Sequence, residues 1–243
     1  MARLMASLGL AVLLVCGSAQ AEDPYEGPRQ RMVKTIEAIA RQVGGRRLPQ
    51  VIDAAVLDAM RKVPRHRFVP EKRRPNAYED RPLGIGYGQT ISQPYIVALM
   101  SHLLEVQPGD KVFELGTGSG YQAAVLSAMG IEVATVEIVP PLAKRAAETL
   151  AREGHDNVEV RAADGYYGWP EKAPFDGVIV TAAAPHIPPP LIEQLKRGGR
   201  MVIPVGPAYL TQQLVLVHKD LDGGVRSEAL LPVAFVPLTG SGH

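Results

Sequence analysis

Three glycines at alternate positions follow a short apolar run, and this arrangement predicts a turn that binds a ligand. The run ends at Leu115, and the glycines are Gly116, Gly118 and Gly120. Glycine tolerates positive φ angles, and because it has no Cβ, a ligand can lie directly against its backbone. The residues that follow, 121–129, are spaced as in a helix, whose first N–H groups and partial positive charge would face the same ligand.

The spacing of the glycines and a preceding acid distinguishes two classes of ligand. Dinucleotide-binding folds favour the pattern G-x-G-x-x-G, in which the backbone and a helix end hold a pyrophosphate. Here the pattern is E-x-G-x-G-x-G, with Glu114 two residues before Gly116. It resembles the pattern of class I methyltransferases, which bind S-adenosylmethionine (SAM), a nucleoside without a phosphate. Plain loops also contain such turns, so the rest of the chain has to decide between these interpretations.

Acids also follow the next two predicted strands, where they would suit a nucleoside. Glu137 stands 21 residues after Gly116, a spacing at which an acid accepts the protons of both ribose hydroxyls. Asp164 and Gly165 follow the third strand and are well placed to hydrogen-bond an adenine amino group. After the fourth strand, residues 181–185 are small enough to floor a pocket. Any one acid is most simply a solvated side chain, but three at consecutive strand ends favour an adenosine-type ligand.

Strands and helices alternate in the second half of the chain, which predicts an α/β fold. Near-continuous apolar strands joined by helices form parallel sheets covered on both faces, and their carboxyl ends meet at one edge, where ligands bind. We therefore predict a Rossmann-like, mostly parallel, doubly wound sheet with C-terminal antiparallel strands. The predicted strands are 111–115, 132–137, 158–162, 175–181, 200–205, 212–218 and 229–238, and the predicted helices between them are 121–129, 140–153 and 189–197.

The part of the chain before the sheet is predicted to be helical and to end in a glycine-rich loop. Apolar spacing indicates helices at 29–43 and 51–63, which would form a small N-terminal helical appendage. Residues 78–94 contain alternate glycines and two prolines, which predict an ordered loop without a regular element. A helix is expected from Pro94 to residue 104. Ser92, at the end of the loop, is either the cap of that helix or a hydroxyl presented at a loop tip.

The chain is predicted to have three parts, of which the first is a secretory signal peptide. Residues 1–21 have a basic residue near the start, an apolar run and an A-x-A cleavage pattern at 19–21. The run is too short for an ordinary spanning helix, although a membrane anchor or a misassigned start codon is an alternative. The appendage with a substrate loop (22–107) and a SAM-binding α/β domain with the C-terminal strands (108–243) follow. We expect export, to the periplasm if the source is bacterial, or a cytoplasmic protein if the segment is not a working signal.

Composition excludes several classes of function. Cys16 is the only cysteine and lies in the predicted signal peptide, so the mature chain would have no disulfide, no cysteine-ligated zinc and no cysteine nucleophile. Without Arg3, basic and acidic residues balance at 25 each, and no general attraction to nucleic acid or membranes follows. We predict no metal site, no nucleic-acid partner, no stable membrane association after cleavage and a monomeric protein.

Three segments, residues 63–70, 86–94 and 112–121, together carry a recognisable family pattern. They resemble protein-L-isoaspartate (D-aspartate) O-methyltransferase, a family of class I SAM-dependent methyltransferases that repairs damaged aspartyl and asparaginyl sites in proteins. The run Gly-Gln-Thr-Ile-Ser at 88–92 is highly specific, because other SAM enzymes lack it. The resemblance extends over about residues 32–238, nearly the whole predicted mature chain.

The resemblance implies roles for individual residues. Ser92 would be the catalytic residue, and it would contact the substrate together with Gly86, Gly88 and Gln89. SAM would be the cofactor, and typical members are cytosolic, so the predicted export signal is a departure from the family pattern. The residues implied to bind SAM are Thr90, Ile91, Glu114, Gly116, Thr117, Gly118, Ser119, Glu137, Asp164, Gly165 and Thr239.

The implied reaction is methyl transfer from SAM to the free carboxylate of L-isoaspartyl, and also D-aspartyl, residues in damaged proteins and peptides. A carboxylate with a pKa of about 4 is ionised at neutral pH, so no strong general base is needed and alignment would supply the rate. The methyl ester would then cyclise to a succinimide, whose hydrolysis returns some normal aspartate. Two alternatives stay open: a SAM-dependent methyltransferase for another carboxylate, and a non-catalytic exported binding protein that keeps the fold.

Overall fold

The structure, a computed structural model, describes residues 23–240, so the predicted signal peptide lies outside the described residues. The helices are α1 Glu26–Val43, α2 Ala54–Lys62, α3 Pro94–Leu103, α4 Tyr121–Ala128, α5 Pro140–Arg152 and α6 Pro189–Gln194. The strands are β1 Leu83–Gly86, β2 Gln89–Ile91, β3 Lys111–Leu115, β4 Glu132–Glu137, β5 Val158–Ala162, β6 Phe175–Val180, β7 Leu195–Val205, β8 Gln212–Lys219 and β9 Val225–Val233. The predicted alternation of strand and helix is confirmed.

A seven-stranded sheet in the order β5-β4-β3-β6-β7-β8-β9 forms the centre of the molecule. The pairs from β5 to β7 are parallel, and β8 pairs antiparallel with both β7 and β9, as the sequence predicts. Because β3 lies between β4 and β6, the chain leaves β3 toward one side of the sheet and later returns to its other side. Such a reversal opens a crevice at the carboxyl ends of the strands, where open α/β sheets bind ligands.

Hydrophobic clusters cover both faces of this sheet, as a doubly wound fold requires. Neighbouring residues of a strand point to opposite faces, so Val112 belongs to one cluster and Phe113 to the other. The first cluster includes side chains of α1 to α4, and the second includes α6 and Trp169. The N-terminal helices thus share a core with the sheet, and the division at residues 107 and 108 stays a prediction.

The glycine-rich segment before α3 is predicted to be a loop without regular structure. The structure instead shows a β-hairpin there. β1 and β2 pair antiparallel, with a register shift between Gly84 and Gly86. The turn residues Tyr87 and Gly88 both have positive φ angles, +55° and +74°, as in tight hairpin turns that match the twist of their strands. Each strand has only three or four residues and little apolar alternation, so the sequence pattern does not reveal it.

The helix predicted over residues 189–197 is shorter than expected, because α6 ends at Gln194. Leu195 instead pairs with Phe175, begins β7 and is buried in the second hydrophobic cluster. The register of the pair then shifts, which accommodates residues 196–199 at the start of the strand. Sequence periodicity does not show this boundary, because the partner strand decides where β7 begins.

The last strand is also displaced from its prediction, since β9 covers Val225–Val233 and not 229–238. The turn after β8 places Val225 opposite Lys219, so pairing begins at once. Residues 225–229 are exposed at the edge of the sheet. Three of the five are polar, so a prediction based on apolar residues misses the start of the strand. The strand predicted over 200–205 begins earlier, at Leu195, because it pairs there with Phe175 of β6. The other predicted helices and strands agree with the structure to within three residues at each end.

Candidate active site

A cleft opens at the carboxyl edge of β3, β4 and β6 and is lined by segments that are distant in the sequence. Its empty volume, open mouth included, is about 710 Å³. Its walls come from the glycine turn after β3, the end of β4, the segment from β2 to α3 and the segment after β9. The lining residues are Gln89, Thr90, Ile91, Ser92, Val97, Glu114, Leu115, Gly116, Thr117, Gly118, Ser119, Tyr121, Gln122, Val136, Glu137, Ile138, Gly165, Thr181, Ala182, Val236, Pro237, Leu238 and Thr239.

The turn between β3 and α4 requires glycine for two reasons. Gly116, Gly118 and Gly120 have φ angles of +98°, +53° and +85°, which other residues rarely adopt. At the first of them a Cβ atom would lie 2.5 Å from the Thr181 hydroxyl oxygen, and that hydroxyl donates to the Gly116 carbonyl at 2.6 Å. The turn therefore presents bare backbone to the cleft, and Thr181 fixes its first residue.

The Glu137 carboxylate holds the glycine turn in place. One of its oxygens accepts from the Gly118 N–H at 2.8 Å, and the other accepts from the Val139 N–H at 2.9 Å. The residue is 5% exposed and lines the cleft. Because a carboxylate offers about four lone-pair sites, both oxygens can accept a further hydrogen bond. The arrangement leaves room for the predicted ribose contact.

Glu114 is a fully buried acid in the wall of the cleft. Neither of its carboxylate oxygens has a hydrogen-bond partner among residues 23–240. Burial raises the pKa of Glu114 to about 8, against a lowering by the nearby Thr135 hydroxyl, and the charge of Glu137 adds to the rise. The group is therefore mostly protonated at neutral pH. A buried polar group without a partner requires an explanation, and a ligand in the cleft would supply one.

Replacement of Glu114 by glutamine should raise the stability of the ligand-free protein more at pH 8 than at pH 5. The pKa of Glu114 is raised by folding, so the stability linked to it is fully present below the unfolded value of 4.5 and is lost as the pH rises toward 8. The loss is at most about 1.4 kcal/mol per pH unit, and glutamine does not ionise. Melting temperatures measured across this range test the prediction.

Glu132→Gln is the matched control for this experiment, because Glu132 is an exposed acid on the neighbouring strand β4, at the end away from the cleft. Its melting temperature should follow that of the wild type at every pH. A gap between the Glu114→Gln variant and the wild type that does not change with pH would show that Glu114 is already ionised in the folded protein.

Ser92 lies in the wall of the cleft and is not the cap of α3. The cap position belongs to Gln93, which makes no side-chain capping hydrogen bond. Of the two alternatives for Ser92, the structure therefore supports a residue presented at the end of the hairpin segment, where it borders the cleft. Its carbonyl accepts a hydrogen bond from Arg65 Nη2 at 2.7 Å, which fixes the backbone that carries the hydroxyl.

Arg65 supports this serine, and sequence analysis does not single it out. The side chain is fully buried, and its Nε donates to the Ala77 carbonyl at 2.8 Å. The guanidinium carbon lies 4.8 Å from the ring centroid of Tyr121, which lines the cleft. Burial lowers the pKa of Arg65 to about 10, so the group stays charged at neutral pH. The segment 63–70 also contains Arg67, and no local signal in the sequence distinguishes the buried arginine from the exposed one.

Most of the other residues predicted for the site also border the cleft. Asp164 stands beside it, because its neighbour Gly165 lines the wall, and its side chain accepts from the Tyr166 N–H at 3.0 Å. Gly86 and Gly88 belong to the hairpin, and neither lines the cleft itself. The remaining predicted residues, all of which line it, are Gln89, Thr90, Ile91, Thr117, Ser119 and Thr239.

The segment after β9 closes one side of the cleft. The Ala183 N–H donates to the Val236 carbonyl, and the Leu238 N–H donates to the Ala183 carbonyl, both at 2.8 Å. These bonds hold the segment against the small residues that follow β6, which brings Thr239 to the cleft. Sequence analysis assigns no role to several side chains that line the cleft, among them Val97, Tyr121, Gln122 and Ile138. Tyr121 directly follows Gly120, and Ile138 directly follows Glu137.

Within residues 23–240, no group of three or more histidine, cysteine, aspartate or glutamate side chains is arranged to hold a metal ion. In the same part of the chain, no helix combines the length and the hydrophobicity needed to cross a bilayer. The side chains that border the cleft are instead hydroxyls, amides, apolar groups and the acids Glu114 and Glu137.

A family model matches residues 44–243 of the chain, and its description is Protein-L-isoaspartate(D-aspartate) O-methyltransferase (PCMT). The chain is 58% identical over 223 residues to protein-L-isoaspartate O-methyltransferase 2 of Syntrophobacter fumaroxidans, a match that covers 92% of this chain and 90% of that protein. It is 53% identical over 231 residues to protein-L-isoaspartate O-methyltransferase 1 of Cupriavidus necator, with 95% and 89% covered.

Solved structures share the fold. A protein-L-isoaspartate O-methyltransferase matches with a TM-score of 0.73 and 29% identity, over 86% of this chain and 66% of that chain. A putative protein-L-isoaspartate O-methyltransferase from Plasmodium falciparum, in complex with S-adenosyl-L-homocysteine, matches with a TM-score of 0.72 and 25% identity, over 90% and 99%. The family match over most of the chain, together with these relatives, shows that the chain belongs to the protein-L-isoaspartate(D-aspartate) O-methyltransferase family.

Proposed function

We propose that the chain transfers a methyl group from SAM to the free carboxylate of L-isoaspartyl residues, and also of D-aspartyl residues, in damaged proteins and peptides. The observation that carries the proposal is the position of residues 88–92, because four of them line the same cleft as the glycine turn. A cofactor on the turn and an acceptor beside Ser92 would therefore meet in one space. Family membership and the names of the relatives support the same reaction.

The cleft fits SAM, which when bound supplies an electrophilic methyl group on a positively charged sulfur. Bare backbone at the glycine turn leaves space for the cofactor, and Glu137 would accept hydrogen bonds from the ribose hydroxyls. Glu114, buried and without a partner, would face the positively charged end of the cofactor, whose charge would lower the pKa of Glu114 and favour its ionised form. Gly165 and Asp164 would border the adenine. The residues proposed to complete the cofactor site are Thr90, Ile91, Gly116, Thr117, Gly118, Ser119 and Thr239.

The acceptor side of the cleft is built to hold a carboxylate and not to remove a proton. An ionised carboxylate is already a nucleophile at neutral pH, so the task of the protein is alignment with the methyl group. The Ser92 hydroxyl would donate to one carboxylate oxygen, and Gln89 would contact the neighbouring peptide. The charge of Arg65, held behind Ser92, would stabilise the bound anion.

The product would be a methyl ester, whose further reaction needs no group of this protein. The methoxy group of the ester leaves far more readily than an oxygen of the ionised carboxylate, so the next backbone nitrogen attacks the ester carbonyl, displaces methanol and closes a succinimide ring. Hydrolysis of the ring returns part of the material as normal aspartate. Methylation would thus initiate repair of the damaged site.

Transfer of labelled methyl from SAM to short peptides tests the proposed function. The chain from Glu22 onward is expected to label a peptide with one L-isoaspartate and the same peptide with one D-aspartate, and to leave the peptide with normal aspartate unlabelled. Absence of label on all three peptides, with SAM still bound, would contradict the proposal and point to another acceptor.

We also propose that residues 1–21 direct export to the periplasm and that the mature chain is a monomer without stable membrane association. The support for export is the basic start, apolar run and A-x-A pattern of this segment. The mass of the chain recovered from the periplasm of a bacterial host should correspond to a start at Glu22. An uncleaved chain confined to the cytoplasm would contradict export.

A further inference from the structure

A groove opens directly from the cleft and runs between two exposed loops. One rim is the hairpin turn at Tyr87 and Gly88, and the other rim is the β7–β8 loop at Tyr209 and Leu210. Residues 234–237 form its floor. The residues that border both the groove and the cleft are Gln89, Thr90, Val236, Pro237 and Thr239. The two spaces are therefore continuous.

The rims of this groove expose large apolar side chains. Tyr87 is 61% exposed, Tyr209 is 85% exposed and Leu210 is 65% exposed. Among the described residues that line the groove, none carries a charge. Apolar side chains exposed together around an opening mark a site of interaction. The chemistry of the groove favours a partner that brings apolar side chains.

Both tyrosines stand on unfavourable backbone. Tyr87 has a φ angle of +55° and Tyr209 has one of +60°. Both lie in the left-handed region, which residues other than glycine and asparagine rarely adopt. Glycine at either position would relieve the strain. The presence of tyrosine there indicates that its side chain has a function that offsets this cost. Strain of this kind concentrates at ligand clamps.

The β7–β8 loop is held in place although its tip is exposed. Gln212 is 1% exposed, and its Nε2 donates to the carbonyls of Pro207 and Leu210 at 3.0 and 2.6 Å. Its Oε1 accepts from the Phe235 N–H at 2.8 Å. One buried amide thus ties the loop to the floor of the groove, and Tyr209 is presented from a fixed base.

We propose that this groove binds the polypeptide segment next to the isoaspartyl residue and selects apolar side chains in it. The inference rests on the proposed function, which places the isoaspartyl carboxylate in the cleft. A damaged residue is attached to a polypeptide, so the chain that carries it has to leave the cleft, and the groove is an uncharged path continuous with it. The tyrosines on the two rims would clamp an apolar side chain of that segment.

Two peptides of equal length test this inference, one with leucine on both sides of the isoaspartate and one with serine there. The wild-type chain from Glu22 is expected to have a kcat/KM about tenfold higher for the leucine peptide than for the serine peptide. Burial of one apolar side chain in the groove accounts for a difference of this size. The double variant Tyr209→Ser, Leu210→Ser should methylate both peptides with similar kcat/KM, through a higher KM for the leucine peptide. Tyr87→Ser, on the opposite rim, should show the same loss of preference.

Leu221→Ser is the matched control, because Leu221 is 79% exposed in the turn at the other end of β8. It should keep the wild-type preference, and unchanged melting temperatures and S-adenosyl-L-homocysteine binding would show that every variant is folded. A wild type without preference, or rim variants that keep it, would overturn the inference and leave the methylation of isoaspartate intact. A wild type that methylates neither peptide would overturn the proposed function together with this inference.

Discussion

Replacement of Ser92 by alanine should lower methyl transfer to an isoaspartyl peptide roughly 10- to 100-fold, the effect of one lost hydrogen bond to a charged group. SAM affinity should change little, because in the proposed arrangement Ser92 would contact the acceptor and the glycine turn is built by other residues. Folding should also be preserved, since α3 is not capped by this side chain and the bond from Arg65 goes to the Ser92 carbonyl. Single-turnover labelling with saturating SAM measures the effect.

Ser227→Ala is a suitable control, because Ser227 is an exposed hydroxyl on β9, away from the cleft. Its activity should equal that of the wild type. An equal loss of SAM binding and methyl transfer in Ser92→Ala, or a large fall in its melting temperature, would show that the hydroxyl has a structural role. Full activity in that variant would remove Ser92 from the proposed mechanism.

Replacement of Glu137 by alanine should weaken the binding of S-adenosyl-L-homocysteine roughly 100-fold, because charge-assisted hydrogen bonds are lost in two places. The carboxylate would no longer bind ribose hydroxyls, and it would no longer hold the N–H groups of Gly118 and Val139. Without the second pair of hydrogen bonds, the glycine turn is no longer held in the conformation that the structure shows. Titration calorimetry measures the affinity, and methyl transfer should recover in part at high SAM concentration.

Two variants separate these contributions of Glu137. Glu137→Gln keeps the shape and one accepting oxygen, so it should hold the turn better than alanine and still bind the cofactor more weakly than the wild type. Glu132→Ala removes an exposed acid from the far end of the same strand and should leave affinity unchanged. Wild-type affinity in a folded Glu137→Ala variant would place the ribose elsewhere in the cleft.

The glycine turn and the acids at the strand ends could be predicted from the sequence because their pattern is local. Glycines that need positive φ angles and acids at strand ends follow from a few neighbouring residues, and the structure brings Glu114, Gly116 and Glu137 to one cleft. The short hairpin was predicted wrongly as an irregular loop. Its strands are too brief for periodicity, and its shape depends on pairing between residues of which many are exposed.

The sequence by itself determined the α/β class, the order of strands and helices, the glycine turn and the run 88–92, since backbone preferences and apolar spacing act over a few residues. Tertiary structure alone decided which distant groups meet. Arg65 binds the Ser92 carbonyl across 27 positions, and the pairing of Ala183 with the segment after β9 brings Thr239 to the cleft. Contacts of this kind depend on how the strands pack and pair, and no local pattern encodes them.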